Sequence, residues 1–159
     1  MAFKVPPLPL PLDKIIELQN LNLIGFALLI LLPRFSITRL VIFLMTVFWA
    51  AAYAWNIAHT MTTSPDSIKF DQMQTLDGLT GLFSNNKPGI FAAWTHMLPL
   101  DLWTARWIIE DAPVSGVPHL LAIPAVVGTC LFGPAGLLLY FIIRTPFLLF
   151  ASGSKPKTE

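Results

Sequence analysis

The chain has 159 residues and a net charge of +1, with 55% hydrophobic and only 12% charged residues. A soluble domain is about 45–50% apolar and about 25% charged, so roughly half the charge of a water-facing surface is missing. Together with a mean hydropathy of +0.67, this argues against a soluble globular domain and for an all-α integral membrane protein of about four spans of about 20 residues. Near-neutral charge and the absence of a basic stripe argue against nucleic-acid binding.

Residues 1–14 read as an extended, proline-rich arm, because Pro6, Pro7, Pro9 and Pro11 lack N–H donors and fix φ. The stretch MAFKVPPLPLPL has no apolar core or cleavage site of a signal peptide and no Arg/Ser-rich transit character. The transmembrane domain is expected over 15–151, followed by a polar tail at 152–159. A first span is predicted over 15–32. Its first half is polar at Glu17, Gln19, Asn20 and Asn22, and Pro33-Arg34 ends it. The second, over 40–59, contains no charge, and Trp49, Tyr53 and Trp55 lie toward its end as an aromatic belt would.

Between spans two and three, Met73, Leu76, Leu79, Leu82 and Phe83 form one apolar stripe, which predicts a short interfacial helix. The third span is predicted over 89–109, and the fourth over 119–145 with kinks at Pro124 and Gly133-Pro134. Pro146 would end it or turn it along the surface. Four crossings put both termini on one side, with Lys4, Lys14, Lys69, Lys87, Arg144, Lys155 and Lys157 against Arg34 and Arg39 on the other. That bias predicts cytoplasmic or stromal termini.

Asp101 is the outlier. It lies about twelve residues into the third span, roughly 18 Å deep, where an ionisable group costs at least ~2.5–3.5 kcal/mol. Arg106 is a poor partner, because five residues at ~100° each place the two about 140° apart, whereas Arg106 and Glu110 are one turn apart. Asp101 is therefore expected to meet another helix, beside a backbone loosened by Pro99. His96, with Asn56 and His59 from span two, can form a polar cluster with Asp101. Trp94, Trp103 and Trp107 wall it, and Arg106 lies near. Two readings stand for Asp101: a hydrogen-bonded tie between helices, or part of a ligand site. There is no Gly-rich phosphate loop, no GxSxG and no metal-spaced His/Cys set, so neither nucleotide nor redox metal is expected. Cys130 is alone in an apolar run and reads as a packing residue.

Four blocks occur in an order that resembles the abscisic-acid-deficient-four-like membrane protein family. They are LLPRFSITR (31–39), LDGLTGLF (76–83), WTHMLPLDLWTARWIIED (94–111) and LFGPAGLLLY (131–140). The chain departs from that pattern at Pro99, where the family is expected to have no proline, and at Thr104-Ala105, where the family is expected to have a glycine before the arginine. The resemblance implies a role with xanthophylls in thylakoid or other photosynthetic membranes. It also implies an isomerase-type chemistry, opening a 5,6-epoxide with proton loss to give an allene, as in violaxanthin to neoxanthin. Asp101 would be the acid and His96 the base. The other expectation is an accessory, pigment-binding subunit of a photosystem or light-harvesting supercomplex. In it, His96 would ligate a chlorophyll magnesium, carotenoid would pack on the tryptophans, and lipids and other membrane subunits would be the partners.

Overall fold

The structure, a computed structural model, describes residues 12–63, 73–84 and 87–153. Among them are seven α-helices: α1 (Leu12–Gln19), α2 (Asn22–Leu31), α3 (Ser36–Thr63), α4 (Leu76–Phe83), α5 (Lys87–Val114), α6 (His119–Phe132) and α7 (Pro134–Gly153). The expected proline arm through Pro11, the loop around Ser64-Pro65-Asp66 and the tail from Ser154 lie outside the described residues. The arm was expected to reach residue 14, but α1 already begins at Leu12, directly after the last proline.

Local chemistry explains the helix ends. α1 and α2 are separated at Asn20-Leu21 by tight i→i+3 hydrogen bonds, Asn20 N–H to Glu17 O and Leu21 N–H to Leu18 O. α2 stops at Leu31, two residues before Pro33, because proline disfavours helical backbone at Leu32. The Thr38 hydroxyl then donates to Leu32 O at 2.8 Å and pins the turn into α3. Thr75 caps α4 by accepting the Gly78 N–H at 3.1 Å, so the predicted short helix is present. α5 closes at Gly116, φ +76°, with Val117 N–H on Ala112 O and Gly116 N–H on Pro113 O. That is a Schellman end, in which glycine takes the left-handed position.

Among the described residues, two helical segments are long and apolar enough to cross a membrane: Lys14–Leu31, covering most of α1 and all of α2, and α3. α6 and α7 hold shorter apolar stretches, so two of the four expected spans are supported by length and composition. The fourth span needs correction. Instead of one kinked helix over 119–145, the chain stops α6 at Gly133, whose φ of +53° is left-handed, and restarts at Pro134. α6 itself tolerates Pro124, and α7 runs through Pro146 to Gly153.

The chain divides into two compact units. The first comprises residues 1–21 and 47–99, the second 22–46 and 100–159, so α3 and α5 contribute to both. In the first unit Ile15, Trp49 and Phe91 form a buried cluster with Ala52 against it. Trp49 is therefore a core residue and not the belt residue expected of it. Gln19 Nε2 donates to Thr95 Oγ1 at 2.7 Å, and both side chains are buried. The polar half of the predicted first span thus turns a polar group inward, where a bond awaits it.

In the second unit Phe26, Leu29, Ile42, Leu102, Ile108 and Tyr140 belong to one larger core. α7 folds back on α6 through two glycines, with Gly136 against Gly128 and Thr129 so closely that an added Cβ would collide with their backbone. Such approach requires residues without a side chain. The returning helix brings Arg144 to Asp111 and Ser115, at the C-terminal end of α5. The same end carries Arg34 and Arg39, which line a cleft with Glu110 and Pro118. The expected placement of Arg144 opposite those arginines is overturned, because the chain reverses at Gly133 where a kinked span would have continued.

Candidate functional site

Of the expected cluster, the first unit holds Asn56, His59, Trp94 and His96, and the second holds Asp101, Trp103, Arg106 and Trp107. In the first, the His96 imidazole is exposed and lies 5.7 Å from the Tyr53 ring, tilted by 45°. Asn56 is buried and His59 half-buried, one and about two turns beyond Tyr53 along α3. The His59 carbonyl accepts the hydroxyls of Thr62 and Thr63. Trp94 is exposed, two residues from His96. Tyr53, read from sequence only as a belt residue, is the aromatic that meets His96.

In the second unit Asp101 lies beside the α6–α7 turn. Its Oδ1 stands 3.1 Å from where a Cβ on Gly133 would sit. Asp101 was expected to meet another helix, and this placement puts its carboxyl against the turn that joins α6 and α7. Trp103 and Trp107 serve different neighbours. The Arg106 guanidinium lies over Trp103, 4.7 Å from the ring centroid, and its Nε donates to Glu110 Oε1 at 2.9 Å. Trp107 packs edge-on against Tyr140, 5.6 Å between centroids at 88°, and also against Phe141.

The densest polar cluster was not singled out from sequence. Arg144 Nε donates to Asp111 Oδ2 at 2.7 Å and Nη2 to Oδ1 at 3.0 Å, a two-pronged grip. The Tyr140 hydroxyl and the Ser115 hydroxyl also donate to Oδ2, at 2.6 and 2.7 Å. Burial opposes ionisation of Asp111, which lies past the predicted third span. The donors from Arg144, Tyr140 and Ser115 outweigh it and hold the carboxyl below its ordinary range. The only hint in sequence was an aspartate closing the 94–111 block and a lone arginine in an apolar run.

Near this cluster a cleft of about 600 Å³ opens, with Arg34, Arg39, Glu110 and His119 on its polar side and Ile109 and Val117 on its apolar side. His119 Nε2 donates to Ile30 O at 2.9 Å, tying the start of α6 to the end of α2. None of the sequence-predicted site residues lines this cleft. Among the described residues, no three His, Cys, Asp or Glu side chains converge as a protein-held metal ion would require. A chlorophyll magnesium would ask for a single protein donor, and the exposed imidazole of His96 would supply it.

Neither a curated protein nor a solved structure matches the chain. A family model described as ABA DEFICIENT 4-like matches residues 17–140, which include α2 through α6, both candidate spans in large part, and the residues around His96, Asp101 and Asp111. The chain therefore belongs to the ABA4-like family.

Proposed function

We propose that this ABA4-like membrane protein is a xanthophyll-associated, pigment-binding accessory subunit of a photosynthetic membrane complex. The observation that supports it is His96: an exposed imidazole, backed by Tyr53 and two residues from the exposed Trp94, in a chain of membrane composition. A pigment magnesium would be held by a ring nitrogen of His96, and the pigment would cover this polar group on an apolar surface. The many exposed large apolar side chains, among them Phe43, Phe48 and Trp55 on α3, suit packing against lipids, pigments and other subunits. His96 would hold the pigment metal, and Tyr53 would fix the ring that presents it.

The second reading is an enzyme or enzyme component opening a xanthophyll epoxide, as in violaxanthin to neoxanthin. Its support is the family match itself, which spans both His96 and Asp101. The placement of Asp101 against the Gly133 turn favours a structural duty for that carboxyl, so the first reading is preferred.

The test is pigment analysis of the full chain after gentle detergent purification from its native membrane. The accessory reading expects a large co-migrating complex with chlorophyll and carotenoid, and His96→Leu should lose chlorophyll while the helical spectrum is retained. A small, pigment-free protein that converts violaxanthin to neoxanthin, and stops doing so on Asp101→Asn, would replace it with the enzyme.

A further inference from the structure

We propose that the cleft between the α2–α3 turn and the α5–α6 connection binds a phosphate- or sulfate-type oxyanion, presented at the membrane surface as the head group of an anionic lipid.

The argument begins with charge. Arg34 and Arg39 both line the cleft, and among the described residues neither is within ion-pair distance of a carboxylate. Glu110 also lines it, but its carboxylate is engaged by Arg106 at 2.9 Å, and Arg106 is in turn seated on Trp103. Asp111, the next nearest acid in sequence, is gripped by Arg144. The local acids are thus spoken for, and two guanidiniums remain facing one space. Like charges gathered on a low-dielectric wall repel, and an anion between them reverses the sign of that interaction. Guanidinium is suited to the task, because its planar fork offers paired N–H donors to two oxygens of one phosphate or sulfate.

Shape supports a head group in preference to a bare ion. A volume of about 600 Å³ lies within the usual ligand-pocket range of about 300–1,000 Å³. Ile109, Ala112 and Val117 supply an apolar wall for the first carbons of an amphiphile. The frame is also held in place. Thr38 pins the turn that carries Arg34 by its 2.8 Å bond to Leu32 O, and His119 ties α6 to α2. Pro118, which precedes α6 and gives it no side-chain cap, and His119, its first residue, both line the cleft. Arg34 and Arg39 stand five residues apart at an end of α2 and α3, where head groups lie if those helices cross the bilayer.

The experiment uses the full chain, purified and stripped of lipid by detergent exchange. Binding of dioleoyl-phosphatidylglycerol and dioleoyl-phosphatidylcholine is measured by native mass spectrometry, with sodium phosphate as a competitor. The expected result is retention of phosphatidylglycerol over phosphatidylcholine by roughly tenfold or more, the scale of one charge-assisted hydrogen bond. Arg34→Gln with Arg39→Gln should abolish that preference, whereas Lys14→Gln on α1 should leave it intact. If the double variant loses its helical spectrum, the single variants Arg34→Gln and Arg39→Gln carry the test. Displacement by millimolar phosphate would show that a free oxyanion is the occupant. Resistance to it would assign the site to the lipid. Equal binding of both lipids without any phosphate binding, or an unchanged preference in folded arginine variants, would overturn the proposal.

Discussion

Arg144 of α7 holds Asp111 of α5 with both prongs of its guanidinium, at 2.7 and 3.0 Å, across 33 residues of sequence. The pair closes the α6–α7 hairpin at its open end, as Gly133 closes it at the tip. Tyr140 and Ser115 complete the carboxylate's set of donors, so loss of the Asp111 side chain removes a partner from three others.

Replacing Tyr140 by Phe removes the 2.6 Å hydroxyl bond while keeping the ring that Trp107 meets edge-on. The expected cost is about 1–2 kcal/mol, read as a lower thermal midpoint in detergent. Arg144→Met should be worse, since it leaves the carboxylate partly desolvated without its counter-charge.

The same cluster sets a pH dependence. The folded carboxyl of Asp111 titrates below its unfolded value of about 3.9, so the unfolded chain takes up the proton first. The contact's contribution is fully present above that unfolded value and is lost as pH falls through the lowered folded one. Melting curves from pH 7 down to pH 3 should show this acid-side loss in the native chain. Asp111→Asn should be less stable at neutral pH and should show a shallower acid limb. An equally steep limb in the variant would assign the effect to other carboxylates.

Three glycines predict three different outcomes. Gly136→Ala drives a Cβ into the backbone of Gly128 and Thr129, and nothing flexible can yield, so the hairpin should be severely destabilised. Gly133→Ala costs about 1–2 kcal/mol for its left-handed φ of +53°. It also presses on Asp101, 3.1 Å away. Gly81→Ala meets nothing within 4 Å in α4 and should stabilise by about 0.5–1 kcal/mol. Thermal midpoints of the three variants check the order.

Thr95→Val keeps volume but removes the acceptor of the Gln19 amide at 2.7 Å. Because both side chains are buried, a loss of about 1–3 kcal/mol is expected. A neutral result would mean that this bond contributes little to holding α1 in its unit.

The hairpin also makes a prediction about membrane topology. α6, with 14 residues, spans only about 21 Å, less than the ~30 Å hydrocarbon core, and α7 returns Arg144 to the end where α6 began. In a chain with Cys130 replaced by serine, single cysteines at Ser36 and Thr145 should react with an impermeant thiol reagent from the same face of sealed vesicles. Labelling from opposite faces would restore a crossing between them.

Much of this architecture was legible in the residues. The Arg106–Glu110 pair follows from helical periodicity alone, since i and i+4 are neighbours on any helix. The stop before Pro33 and the short α4 follow from equally local chemistry. Asp101 stood out because its cost in an apolar span is independent of fold, yet its neighbour could not be named. Gly133-Pro134 is compatible with a kink or a reversal, and only the close approach of Gly136 to Gly128 and Thr129 shows the reversal. Trp49 shows the same limit, since an aromatic near a span end looks alike whether it faces head groups or a core.

The sequence by itself determined that the chain is helical, built for an apolar solvent, and related by its short blocks to a known membrane family. Those properties depend on composition and on spacings of a few residues. Tertiary structure alone decided that α7 folds back on α6, that Arg144 meets Asp111, and that Arg34 and Arg39 face one cleft. Each of these joins residues far apart in the chain, and which distant groups meet depends on backbone reversals and close helix approach that no local pattern encodes.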